Sequence, residues 1–224
     1  MATPQRSDGM KKSGLLLALA LSILLAGCSE SKPPTKAVYM LLDTSGTYTQ
    51  QIEKAQGIVK YLLGTLNSGD SLALARIDSG SFSEKDIIAK ITFDLRPSKA
   101  NSQKRAFLEA VDQFAKEVRG SSHTDITGGM LQAIEYLNET GAGHKYILVF
   151  SDMEEDIQKG QVRDFPITFG DIKVVALNVT KLHSDNVDPR DYMKRVEHWE
   201  TRVVDGGGSW RVINDLDRLD TLLE

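Results

Sequence analysis

With 224 residues the chain is long enough for one α/β domain with a substantial core and too short for two of ordinary size. The net charge is −4, and because Arg6, Lys11 and Lys12 outweigh Asp8 near the start, the rest of the chain is more acidic still. No basic patch stands out, which argues against nucleic-acid binding, and the single cysteine, Cys28, excludes an internal disulfide.

Lys11-Lys12 precede an uninterrupted run of apolar and small residues, 14–27. That is the charged start and short apolar core of a secretory signal, and it falls below the roughly 20 residues a spanning helix needs. The run ends in Leu25-Ala26-Gly27-Cys28, which resembles a bacterial lipobox. The resemblance implies a signal peptide over 1–27, removed before a lipidated Cys28. Residues 28–36, with Pro33-Pro34, then read as a short stiff tether to a domain over 37–224. Met10 offers a second start in front of Lys11-Lys12. Ser29 after the cysteine points to the outer rather than the inner membrane under the enterobacterial sorting rule, with the domain facing the periplasm.

Residues 37–42 are apolar and flanked by polar sequence, as expected of a strand buried on both faces of a parallel sheet, with Asp43 at its C-terminal tip. Ile52, Ala55, Val59, Leu62, Leu63 and Leu66 recur at helical spacing behind Thr49, an expected N-cap. Residues 71–77 and 87–93 read as strands too close together for a crossover helix, so they are expected to pair antiparallel. Phe107, Val111, Phe114 and Val118 mark a helix, and Ile126, Met130, Ile134 and Leu137 another. Strands follow at 146–150, 172–179 and 210–213. A helix at 191–204 carries Tyr192, Val196, Trp199 and Val203, and Leu216, Leu219, Leu222 and Leu223 predict a terminal helix. The fold class is therefore α/β: a doubly wound, mostly parallel six-stranded sheet with one antiparallel edge strand and helices on both faces.

Ligands of such sheets bind at the carboxyl ends of the strands, where Asp43 lies. Asp43, Ser45 and Thr47 alternate around Gly46, so one carboxylate and two hydroxyls can turn toward a common point, an oxygen set suited to a hard cation. Asp43-Thr44-Ser45-Gly46-Thr47 resembles the D-x-S-x-S/T motif of the metal-ion-dependent adhesion site of von Willebrand factor A domains. Thr124 matches the family's threonine on a later loop, and Asp152 matches the aspartate that ends a central strand. One departure is Met153, where many members have glycine. The resemblance implies magnesium or manganese held directly by Ser45 and Thr47, directly or through water by Thr124, and largely through water by Asp43 and Asp152. An acidic residue of a protein partner would complete the coordination. The implied protein is a membrane-anchored lipoprotein that binds a partner, not an enzyme.

Two other readings stay open. Haloacid-dehalogenase-like phosphatases also end their first strand in D-x-D-x-T, but Ser45 stands where their acid/base aspartate would, and a serine hydroxyl does not transfer protons near neutral pH. The five polar residues can also be turn formers and caps in a metal-free structural lipoprotein. Gly64 through Ser71 approximates a phosphate-binding loop but has Asp70 in place of lysine and follows a helix, so no nucleotide is expected. Glu154, Glu155 and Asp156 read as a solvated helix start, and His123 as a loop residue that shapes access.

Overall fold

Strand β1 (Lys36–Asp43) sets the architecture, because every residue after the first is buried. Side chains alternate across a strand, so Val38, Met40 and Leu42 enter one apolar cluster while Ala37, Tyr39 and Leu41 enter another on the opposite face. The computed structural model describes residues 34–46, 48, 51–182, 185 and 188–224. The expected signal peptide, Cys28, most of the tether, Thr47 and Thr49 lie outside them.

The first cluster is closed by α1 (Ile52–Thr65) and α2 (Pro97–Glu117), the second by α3 (Ile126–Glu139) and α4 (Pro189–Asp205). The remaining strands are β2 (Ser71–Ile77), β3 (Ile87–Thr92), β4 (His144–Phe150), β5 (Lys173–Leu177) and β6 (Ser209–Ile213), in the spatial order β3-β2-β1-β4-β5-β6. Among the strands of the described residues, only β2 and β3 pair antiparallel. The expected doubly wound sheet with one antiparallel edge strand is thus the observed one. Among the described residues, no helix is long and apolar enough to cross a membrane.

Helix α2 begins ten residues before Phe107, the first residue of its apolar face. Pro97 occupies its first turn, where a missing N–H costs nothing, and the early turns are polar. The expected terminal helix is absent; only a 3₁₀ turn at Leu219–Thr221 forms. Its amide hydrogen bonds are the tight three-residue kind, Leu222 N–H to Leu219 O (3.0 Å) and Glu224 N–H to Thr221 O (3.4 Å), and side chains fasten the segment to the sheet: Arg211 Nη2 donates to the carbonyls of Thr221 (2.6 Å) and Leu222 (3.2 Å), and Tyr146 Oη to that of Leu223 (2.9 Å). Leu222 is fully buried, so these leucines anchor a turn rather than line a helix.

Helix α3 lies close against β1 at Gly129 and against the loop after β2 at Gly128. A Cβ on Gly129 would stand 3.0 Å from Leu41 Cδ2, a flexible neighbour. A Cβ on Gly128 would stand 2.5 Å from Asp125 Oδ2 and 2.7 Å from the Ser81 carbonyl, and the carbonyl cannot yield. Alanine is worth about 1 kcal/mol over glycine inside a helix, but overpacking costs roughly 1–3 kcal/mol. Gly128→Ala should therefore destabilise the domain in urea unfolding, and by more than Gly129→Ala does.

Candidate metal-binding site

The strand order reverses between β1 and β4, the point at which open α/β sheets leave a crevice beyond their carboxyl ends. Leu42 pairs with Phe150, so Asp43 and Ser151 leave the sheet side by side. Asp43 is 0% exposed. Its Oδ1 accepts the Ser45 amide (2.8 Å) and its Oδ2 the Ser151 hydroxyl (2.7 Å), with the Ser45 hydroxyl a further donor.

Three loops meet here and are hydrogen-bonded pairwise. The loop after β1 joins the loop before α3 where the Ser121 amide donates to the Thr44 carbonyl (2.8 Å) and Ser45 bridges Ser121. The loop before α3 joins the loop after β4 through a two-way bridge, Thr124 N–H to Asp156 O (2.8 Å) and Asp156 N–H to Thr124 O (3.0 Å). The loop after β4 returns to β1 through Ser151 and Asp43. Asp43, Ser45, Thr124 and Asp152 thus stand on three mutually fastened loops; Thr47 is outside the described residues. Thr124 is buried, and its backbone N–H and carbonyl are both paired with Asp156.

Burial pushes the Asp43 carboxyl above its ordinary range, against the pull of the Ser151 and Ser45 hydrogen bonds. Burial also raises Asp152, to about 6; the charge of Asp43 adds to this, while the Glu154 amide and Arg195 oppose it. Among the described residues neither carboxylate forms an ion pair with a basic side chain. Two buried like charges with no ion-paired basic side chain are an unfavourable pair, and a dication near them would relieve both. Among the described residues no three His, Cys, Asp or Glu gather as a metal-binding cluster. Two carboxylates with hydroxyl oxygens instead fit a hard cation that keeps waters.

Several supporting residues escape sequence reasoning. Ser121 donates to Asp78 Oδ1 (2.6 Å) at the tip of β2. Buried Asp125 caps α3 through the Gly128 amide (2.8 Å) and takes a bidentate contact from Arg163, Nε to Oδ1 at 2.9 Å and Nη2 to Oδ2 at 2.7 Å. The acidic run after Asp152 is not a helix start. Glu155 accepts the Thr127 amide (2.6 Å) and hydroxyl (3.0 Å), so it serves the N-terminus of α3 instead. Asp156 meets His123 Nδ1 at 2.9 Å, which makes His123 part of the loop-to-loop fastening. Met153 has φ 66°, the left-handed conformation that glycine adopts freely, while its side chain is buried. The backbone therefore keeps the glycine-like turn despite the substitution.

A separate cleft of about 570 Å³, lined by Arg163, Phe165, Ile167, His198 and Arg202 among others, includes none of the four described site residues. It is not the place where the carboxylates converge.

Because the Asp152 carboxyl titrates near 6 when folded and near 3.8 when unfolded, the native state holds the extra proton between those values. Stability of the metal-free protein should therefore fall as pH rises from 4 to 6 and stay lowered above, by roughly 3 kcal/mol from this group. Asp152→Asn keeps the acceptor for the Glu154 amide and removes the charge. In EDTA at pH 7.5 it should melt higher than wild type, with a flatter pH profile; a lower melting point at every pH would contradict the electrostatic account.

The family model described as von Willebrand factor type A domain matches residues 37–196. No curated protein matches the sequence. Among solved structures the chain is similar to SpaC, a pilus adhesin of Lactobacillus rhamnosus GG in an open conformation, with 14% identity over 87% of this chain and 29% of that one and a TM-score of 0.52. A von Willebrand factor type A structure from Catenulispora acidiphila aligns with 13% identity over 84% of this chain and 40% of that one, TM-score 0.51. The human COPII-coat protein Sec24c aligns with 11% identity over 86% and 32%, TM-score 0.50. At these identities the likeness is one of fold, and this chain spans less than half the length of each. With the family match extending from the first strand into α4 and the sheet order in agreement, the chain belongs to the von Willebrand factor type A domain family.

Proposed function

We propose that this domain captures a protein partner through a divalent cation, magnesium or manganese, held by Asp43, Ser45, Thr47, Thr124 and Asp152, and that a lipid on Cys28 tethers it to the bacterial envelope facing the periplasm. The observation that carries the metal reading is the pair of buried carboxylates without a basic partner, set among three fastened loops. When bound, such an ion supplies two positive charges and an open position for a partner carboxylate. Asp43 and Asp152 provide the charge; Ser45 and Thr124 provide neutral oxygens. Ser151 and the Ser45 amide hold the Asp43 carboxylate in one orientation. SpaC is named as an adhesin, which supports a role in binding, though the likeness itself is one of fold.

A hydrolytic role is disfavoured by the same residues. Ser45 offers no proton-transfer group at neutral pH, and its donors turn inward to Asp43. An aryl-phosphate assay on the purified protein separates the two readings, and turnover lost in Asp43→Asn would favour the phosphatase.

Calorimetry on the full chain in detergent should show magnesium or manganese binding that Asp43→Ala abolishes; no binding by wild type removes the site. Partner recovery in a pull-down should fall in EDTA. Thr124→Ala removes a neutral ligand without changing net charge, so it should weaken recovery by about tenfold, the worth of one charge-assisted contact. Recovery equal in both buffers and in both proteins would assign binding to another surface.

The anchor has its own test. Cys28→Ser should abolish incorporation of labelled palmitate and leave the protein uncleaved or soluble. A lipid-labelled, membrane-bound mutant would overturn the tether.

A further inference from the structure

Helix α4 holds the backbone of the loop that carries Asp152. Arg195 Nε donates to the backbone carbonyl of Asp152 (2.9 Å), and one helical turn later Trp199 Nε1 donates to the carbonyl of Met153 (2.9 Å). Two successive carbonyls are thus held by one face of one helix. The rest of the guanidinium is also engaged. Nη2 lies 2.8 Å from Asp185 Oδ2 and Nη1 3.2 Å from Asp185 Oδ1, with Glu154 Oε2 at 3.5 Å and the Tyr192 ring centroid at 5.7 Å. The Arg195 side chain is 8% exposed and that of Asp185 0%. Asp185 Oδ2 is itself fixed by the Leu182 amide (2.7 Å).

A buried ion pair is a poor stabiliser compared with apolar residues of the same size, so burying both charges is not explained by stability alone. What the pair does achieve is orientation. The bidentate contact fixes the plane of the guanidinium, which leaves Nε aimed at a single carbonyl. An aspartate carboxylate stands only one carbon from its backbone, so fixing the Asp152 carbonyl, together with the Glu154 amide on Oδ1 (2.9 Å), fixes the carboxylate.

We propose that Arg195, oriented by Asp185, is a positioning residue for the cation site: it sets the place of the Asp152 carboxylate against Asp43 without touching the ion. This rests on the reading of the site as a metal centre. The sign of the effect distinguishes positioning from charge. A cationic side chain near a cation site opposes metal binding, so if Arg195 acted only as a charge its removal would tighten binding. If it acts by positioning, removal weakens binding even when the charge is kept.

The experiment is magnesium calorimetry on the full chain in detergent, comparing wild type with Arg195→Gln, Arg195→Lys and Asp185→Asn, each checked for native circular dichroism. Both Arg195 variants should bind magnesium 10–100-fold more weakly, the range typical of groups that orient metal ligands. Asp185→Asn, which keeps Arg195 but loosens its plane, should fall between, and it decides the matter if the Arg195 variants do not fold. In EDTA, amide exchange at Met153 and Glu154 should accelerate in Arg195→Gln. Unchanged or tighter magnesium binding in the folded variants overturns the inference and leaves the metal centre standing. Absence of binding by wild type overturns both.

Discussion

The arrangement depends on one constraint: a carboxylate, Asp43, is fully buried at the end of a strand that is apolar on both faces. A strand of that composition must lie at the centre of the sheet with helices on each side, which fixes the two clusters and their four helices. It also carries its last residue to the reversal of strand order. An ionised carboxylate in that position has lost water and needs donors or a cation in exchange. The Ser45 amide and the Ser151 hydroxyl supply the donors. Among the described residues no basic side chain pairs with it.

That need accounts for how the neighbouring loops are built. Each touches the other two through backbone or side-chain hydrogen bonds, so none can move alone. The long connection from β4 to β5 has no helix of its own, and a crossover of that length would ordinarily be mobile. Here it is pinned at separate places, Glu155 and Arg163 to the start of α3 and the carbonyls of residues 152 and 153 to α4. Buried Ile167 and Phe169 close its far end against the core.

Most of the frame was legible in the sequence because its signals are local. The apolar run ending in Asp43, the spacing of α1 and the short gap between β2 and β3 each express themselves within a dozen residues. What was not legible is long-range. Ser151 meets Asp43 across 108 positions, Arg195 meets Asp152 across 43 and Arg163 meets Asp125 across 38, and nothing in the local pattern of an arginine names its acceptor. The terminal leucines misled for a related reason. Their spacing suits a helix, but Leu222 is buried in the core and Arg211 and Tyr146 hold the carbonyls of residues 221–223 against the sheet, contacts that the leucine spacing does not reveal. Position also misled for the acidic run, since Glu155 does sit at a helix N-terminus, but at that of α3, which precedes it in the chain.

The distribution of basic residues around the site carries the same logic one step further. Arginines abound nearby, and each is matched to an acid or a carbonyl outside the pair: Arg163 to Asp125, Arg195 to Asp185 and Arg202 to Glu155 and the carbonyl of residue 163. None reaches the carboxylates of Asp43 or Asp152. An arginine paired with Asp43 would stabilise the buried carboxylate. The raised carboxyls of Asp43 and Asp152 are therefore a local stability cost that no basic side chain among the described residues offsets by pairing. The surrounding ion pairs are what permit that cost, because they hold the loops in place without neutralising the two charges at their centre.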